Sequence, residues 1–305
     1  MNIYPILQKK LPDDEWKNLN IFKKSSSIDK CLYTPTNGID TKLLEIYKEI
    51  FTKTYDELKI NSSAVYDYIL KLYALKNKTL TDKELKEVDF VANFVSNLSD
   101  YYIINGKFAP QIVMNGQQGR VFIHPFFNWK DKWILSLFKK FNFIDMPSYC
   151  MVKFDVNAAL LRVLLYLIGA KINNNGFKDL SAIQGDIYTI FIDKILNNRY
   201  NVNRSIFKRS IISMICGSKG EKLLAYNVNI INTIKKYADE FGSDYIFKCT
   251  NLFVMTQLKK ISVLYNNDFL LPLINVDGGY FLVPKSDKNF DLIKTKLKYF
   301  NFEQL

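Results

Sequence analysis

The apolar positions of this chain follow two rhythms. Between Thr41 and Asp100 they recur every three to four residues, in LLEIYKEIFTKTYDELK, SAVYDYILKLYALK and TDKELKEVDFVANFVSNLSDYY. In the second stretch Val65, Ile69, Leu70, Leu72 and Tyr73 keep a period near 3.6, which predicts an amphipathic helix. Thr81 followed by Glu84 predicts a capping box opening the third helix. Residues 1–40, with Pro5, Pro12, Pro35 and Gly38, read as an irregular arm. Over 101–128 the pattern shortens into apolar pieces broken by Gly106, Gly116 and Gly119.

MVKFD (151–155) then reads as a strand, and AALLRVLLYLIG (158–169) as a mostly buried helix. Asn173–Gly176 reads as a loop, and Leu180–Leu196 and Arg204–Cys216 as helices. The run from Lys222, KLLAYNVNIINTIKKYADEF, is helical in pattern. FLLPLINVDGGYFLVP reads as strand–turn–strand, because Asp-Gly between apolar runs is a strong hairpin signal. Helical block, strand and helix, helical block and hairpin in that order predict an α+β chain.

Composition narrows the picture only a little. The 305 residues are 48% apolar, 24% charged and 15% aromatic, which suits a globular protein with a large core rather than a disordered chain. The formal net charge of +12 suits a polyanionic partner such as nucleic acid, although AT-rich coding produces the same lysine surplus. Cys31, Cys150, Cys216 and Cys249 form no C-x-x-C pair, and His124 is the single histidine. That pattern points away from a structural zinc site and a disulfide framework, and toward a reducing compartment. The start lacks the basic-then-apolar order of a signal peptide. The most apolar run, Ala158–Ala170, contains Arg162 and is too short for a bilayer. A cytoplasmic protein with no membrane partner is expected.

Three pieces carry candidate chemistry. Asp155 ends a strand, Arg204 and Lys208 lie four apart on a helix closed by Gly217, and Asp277 sits in the hairpin. Two carboxylates on neighbouring strands of one sheet can hold two Mg²⁺ ions roughly 3.5–4 Å apart for phosphoryl transfer. Helix residues four apart share a face, so Arg204 and Lys208 can grip one anion. Taken singly, each piece has a plain structural reading as a helix cap, a turn or a solvated face.

Taken in order over about residues 95–295, these motifs resemble an A-family DNA polymerase, whose relatives include the phage-type single-subunit RNA polymerases. The family's first motif reads like DYSQIELRVLAHLSGD; here 155–170 reads DVNAALLRVLLYLIGA. Asp186-Ile187-Tyr188-Thr189 stands where the family has Asp-Ile-His-Thr. Arg204, Lys208 and Gly217 match the second motif, with Cys216 in place of the usual tyrosine. Val276-Asp277-Gly278 stands for the third motif's His-Asp-Glu, and GQQGRVFIHP (116–125) resembles the T-G-R segment.

The resemblance implies a right-hand fold. It would have an antiparallel palm sheet (105–170 and 250–305), helical fingers (171–249) and a helical thumb-like region (1–104). It implies that Asp155 and Asp277 bind two Mg²⁺ ions and that Arg204 and Lys208 hold the incoming deoxynucleoside triphosphate. It also implies that Lys208 would aid pyrophosphate departure. Ile212 and Leu160 lie by the incoming nucleotide, Leu160 replacing the glutamate that excludes ribose 2′-hydroxyls. By the same resemblance Arg120, Cys216, Gly217 and Asn251 would contact DNA primer–template. His124, Tyr188 and Tyr200 are either nucleic-acid contacts or ordinary packing residues. No proofreading domain fits, so exonuclease or processivity functions would belong to separate subunits. The small size and composition suit a phage, plasmid or organelle element, with the host cytoplasm as the location if it is phage- or plasmid-encoded. Two other readings stay open: an RNA- or primer-synthesising enzyme, and a catalytically dead polymerase remnant that binds nucleic acid.

Overall fold

A computed structural model describes residues 38–57, 59–75, 78–96, 111–115, 118–124, 131–145, 148–196, 202–224, 226, 228–265, 270–274, 278–285 and 300–304. In chain order the helices are α1 (Gly38–Glu57), α2 (Ser62–Ala74), α3 (Asp82–Ser96), α4 (Asp131–Lys139), α5 (Ala159–Lys171), α6 (Asn175–Ala182), α7 (Ile187–Ile190), α8 (Arg204–Ile215), α9 (Glu221–Leu224), α10 (Asn229–Phe241) and α11 (Ser243–Leu264). The strands are β1 (Lys59–Ile60), β2 (Gln111–Asn115), β3 (Arg120–His124), β4 (Ile144–Asp145), β5 (Tyr149–Val156), β6 (Leu270–Ile274), β7 (Gly278–Pro284) and β8 (Phe300–Gln304). Helices dominate, and the strands gather into small sheets, so the chain is α+β. Among the described residues no helix is long and apolar enough to cross a membrane.

The described residues divide into two compact units, one from 48–113 and 122–149, the other from 33–47, 114–121 and 150–305. The first unit is held by rings. Tyr68 meets Phe141 edge-on at 5.0 Å, Phe90 stacks on Trp133 at 4.9 Å, and Phe94 stacks on Phe143 at 5.6 Å. The two-residue ladder of β1 and β4 pairs Ile60 with Ile144 beside this cluster. Val65, Ile69 and Leu72 are buried on α2 as their spacing predicts, while Leu70 faces solvent. The capping box forms: the Thr81 N–H donates to Glu84 Oε2 at 2.8 Å, and the Glu84 N–H points back to Thr81 Oγ1 at 3.4 Å.

The second unit is built around α5. Leu161, Leu164, Leu165 and Ile168 are fully buried, and only Tyr166, at 56% exposed, turns outward among the large apolar residues. A helix apolar nearly all round must be a core element, and α6, α8, α10 and α11 pack on it. Phe207, Ile211 and Met214 of α8 and Ile231 and Ile234 of α10 complete that core. Beside it lies a four-stranded sheet in the order β6-β7-β5-β8, with β6–β7 and β5–β8 antiparallel. The predicted hairpin is β6–β7.

Three expectations change. The loop expected at Asn173–Gly176 is a helix start: Asn174 caps α6, accepting the Gly176 N–H at 2.8 Å. The single helix expected over Leu180–Leu196 is broken at Ile183–Asp186, where Gly185 has φ +89° and Asp186 caps a new helix. That helix passes into a π-helical stretch, Phe191–Ile195. The helix expected from Lys222 is two helices, with Val228 extended between them (φ −98°, ψ 122°). The sheet also gains β8, which no pattern in LKYFNFEQL announces; it pairs Phe154 with Phe302 and Asp155 with Asn301.

Helix α8 ends in a Schellman motif. Gly217 stands at φ +96°, its N–H reaches Met214 O at 3.2 Å, and the Ser218 N–H reaches Ser213 O at 3.0 Å. A Cβ at Gly217 would meet nothing within 4 Å, so Gly217→Ala is a pure backbone test. It is expected to cost about 1–2 kcal/mol, read as a lower denaturant midpoint at unchanged slope.

Candidate functional site

Alternation along β5 buries Val152, Phe154 and Val156 and turns Asp155 outward, exposed, at the strand's end. Ala158 then takes a left-handed conformation (φ 53°, ψ 39°) and swings the chain into α5. Strand β7 is the sheet neighbour of β5. Its first residue, Gly278, comes so close that a Cβ there would lie 2.9 Å from Phe154 O and 3.3 Å from Asp155 Oδ1. A side chain at Gly278 would push the hairpin away from Asp155. Asp277, which precedes Gly278 in the sequence, lies outside the described residues.

Helix α8 is opened by Asn203, whose side chain accepts the Ser205 N–H at 2.9 Å. Arg204 and Lys208 are exposed and share one face, as expected from their spacing. The common element beneath them is the buried Tyr188 ring: Arg204 Cζ is 5.8 Å and Lys208 Nζ 5.9 Å from its centroid. Tyr188 is therefore a packing residue and not an exposed stacking platform. Arg204 Nε also forms an ion pair with Asp186 Oδ2. Burial pushes the Asp186 pKa up, but the hydrogen bonds from Arg204 and Thr189 outweigh it and hold the carboxyl below its ordinary range. The same bond raises the Arg204 pKa.

Arg162, one of the few buried charged residues, links these pieces. Its Nε donates to Asn157 O at 2.7 Å, just after Asp155, and its Nη groups donate to Ser181 O, Ile183 O and Gly185 O at 2.9, 2.7 and 2.9 Å. One guanidinium thus joins the turn leaving Asp155 to the loop that presents Asp186.

Leu160 is 9% exposed and belongs to the apolar core, against which the half-buried Ile212 packs. Cys216 is exposed at the end of α8, and Gly217 follows it as the helix stop. On another flank of α8 an open groove of about 660 Å³ is lined by Arg209, Ser210, Ser213, Ser218 and Lys219. Ile206, Gly220 and Leu223 complete its described lining, which is largely apolar, and its polar part is the two cations and three hydroxyls, groups that can meet phosphate oxygens. These residues were not singled out from the sequence, although KRSIISMICGSK carried both cations in plain sight.

Arg120 opens β3, but its side chain, like that of His124, lies outside the described residues, as does all of Tyr200. The turn before Arg120 is anchored by α11. Asn251, 3% exposed, donates its amide to Gln118 O at 2.9 Å, and the Tyr47 hydroxyl reaches Gly119 O at 3.4 Å. Asn251 therefore bears on the Arg120 segment through that turn. Lys248, one helical turn earlier, pairs with the fully buried Asp40 at 3.0 Å. Lys248→Met is expected to cost about 3 kcal/mol in unfolding free energy, because it removes the cation paired with a buried carboxylate at the start of α1. An Asp40→Asn change added to it should recover part of that loss, measured by the same unfolding titration.

No protein-family model matches the chain, and no curated protein matches it. Among the described residues there is no cluster of three or more metal-ligating side chains, and the partner carboxylate expected for Asp155 lies outside them. What the structure brings together is Asp155 against the hairpin, Arg204 and Lys208 over Tyr188, and Arg162 between the two groups.

Proposed function

We propose that this chain is a template-directed nucleotidyltransferase, a minimal DNA polymerase that extends a primer 3′-end. The observation that carries the reading is the approach of Asp155 to Gly278, which makes the end of β5 and the start of β7, the strand that follows Asp277 in the sequence, neighbours in one sheet. Asp155 and Asp277 are hard oxygen donors of the kind that hold Mg²⁺. Two bound Mg²⁺ ions would supply charge neutralisation at the transferring phosphate and at the attacking and leaving oxygens. In this reading 105–170 and 250–305 form the palm, 171–249 the fingers and 1–104 a thumb-like region.

Arg204 and Lys208 grip the triphosphate of the incoming deoxynucleotide. Arg204 offers a planar fork for two phosphate oxygens, and Lys208 a mobile ammonium that follows the departing pyrophosphate. Ile212 bounds the nucleotide's apolar side, and Leu160, within the core, lies behind that wall. Arg120 and the Arg209–Lys219 groove take phosphates of the template–primer, a sequence-independent contact that weakens as salt rises. Catalysis in such a site is positioning plus stabilisation of developing charge.

The test is extension of a labelled primer on a DNA template by the purified full chain with Mg²⁺, run in parallel with deoxy- and ribonucleoside triphosphates. Extension with deoxynucleotides that stops on chelation supports the proposal. Preference for ribonucleotides would move the assignment to an RNA- or primer-synthesising enzyme, the reading that Leu160 in place of a glutamate favours. Salt-sensitive DNA binding without extension would leave a binding module.

A further inference from the structure

Asp186 has no part in the reading above, yet its carboxylate is among the most firmly held polar groups near α8. Its Oδ1 accepts the Tyr188 N–H at 3.2 Å, and its Oδ2 accepts the Thr189 hydroxyl at 2.8 Å and pairs with Arg204 Nε. The loop before it is fastened in turn by the Arg162 bond to Gly185 O. Arg204 meets this carboxylate through Nε, and neither of its Nη groups donates to a described residue. Among the described residues nothing bonds the edge of the guanidinium that matches two phosphate oxygens. Below, the Tyr188 ring is fixed edge-on against Phe207 at 6.5 Å and carries both cations.

We infer that Asp186 is a positioning residue that orients the Arg204 guanidinium for a triphosphate, with Tyr188 as the floor that sets Arg204 and Lys208 side by side. The inference rests on the nucleotide-binding reading of Arg204. The opposite role, an inhibitory latch, would require the carboxylate to occupy the Nη edge and to leave before phosphate could enter. An Nε contact has no need to break. It removes the rotational freedom of a long side chain before the ligand arrives, which raises affinity without a new contact.

The experiment measures binding of Mg²⁺–dATP to the full chain by calorimetry for the parent, Asp186→Ala, Asp186→Asn, Arg204→Ala and the double variant Asp186→Ala/Arg204→Ala. Asp186→Ala is expected to weaken binding about tenfold in the parent background and to change nothing further when Arg204 is already alanine. Asp186→Asn keeps a cap and an acceptor for Nε and should recover most of the loss. Equal losses from Asp186→Ala in both backgrounds would mean a merely structural role and would overturn the inference. So would tighter binding by Asp186→Ala, the mark of a latch. If Arg204→Ala loses binding while Asp186→Ala matches the parent, only the positioning role fails. If Arg204→Ala binds as the parent does, the nucleotide reading of Arg204 has failed and the inference falls with it.

Discussion

Asp155→Ala is expected to lower the proposed primer extension by about 10³-fold or more, a loss of roughly 4 kcal/mol of transition-state stabilisation. The carboxylate is exposed at the end of β5, and β5 owes its place to the buried Phe154 and Val156 and to its backbone pairing with β8. The variant should therefore keep a cooperative unfolding transition, so that lost extension is not lost fold. Extension and stability thus separate at this position. Asp155→Asn keeps the shape but loses the charge that a divalent ion needs, and it should be nearly as impaired. A variant that extends primers at the parental rate would remove Asp155 from the chemistry altogether.

Arg162→Met is expected to do the reverse, costing about 3–5 kcal/mol of stability. The side chain is 3% exposed, and its guanidinium serves the carbonyls of Asn157, Ser181, Ile183 and Gly185. Methionine fills much of the volume but supplies no donor, so those carbonyls must reach water or remain unbonded. Arg162→Lys brings one nitrogen where the fork had several donors, and it should recover less than half of the loss. Urea titrations check both numbers. Hydrogen exchange at 181–186 should rise in Arg162→Met ahead of global unfolding, because that loop loses its fastening first.

How much of this was legible in the sequence depends on how local each cause is. The capping box at Thr81 and Glu84 and the antiparallel pairing of β6 with β7 are set by residues close in sequence, and both formed where the pattern placed them. The apolar wrap of α5 also showed in the letters. The break at Gly185 and Asp186 was overlooked because the apolar rhythm of Leu180–Leu196 runs through it, although Gly-Asp is a turn and cap signal. Strand β8 escaped because its five residues carry Asn and Glu, and only the distant β5 gives them a ladder. In the sequence Arg162 is only a charge inside the apolar run Ala158–Ala170. Its acceptors are carbonyls up to 23 residues away, and no side-chain pattern records a carbonyl. The pairing of Arg204 with Asp186 was hidden because the irregular loop before Asp186 decides where that carboxylate lies.

The pairing of β5 with β8 has a consequence for the making of the protein. Asp155 stands opposite Asn301, and the buried Phe300 lies 6.0 Å from Phe154 across the same ladder. Contacts so distant in sequence form slowly, because a long loop must close before they are rewarded. On the ribosome the strand that carries Asp155 waits without its edge partner until residues 300–304 have left the exit tunnel. The helices around α5 can gather earlier, so a nascent chain holds its two cations well before its carboxylate strand is secured.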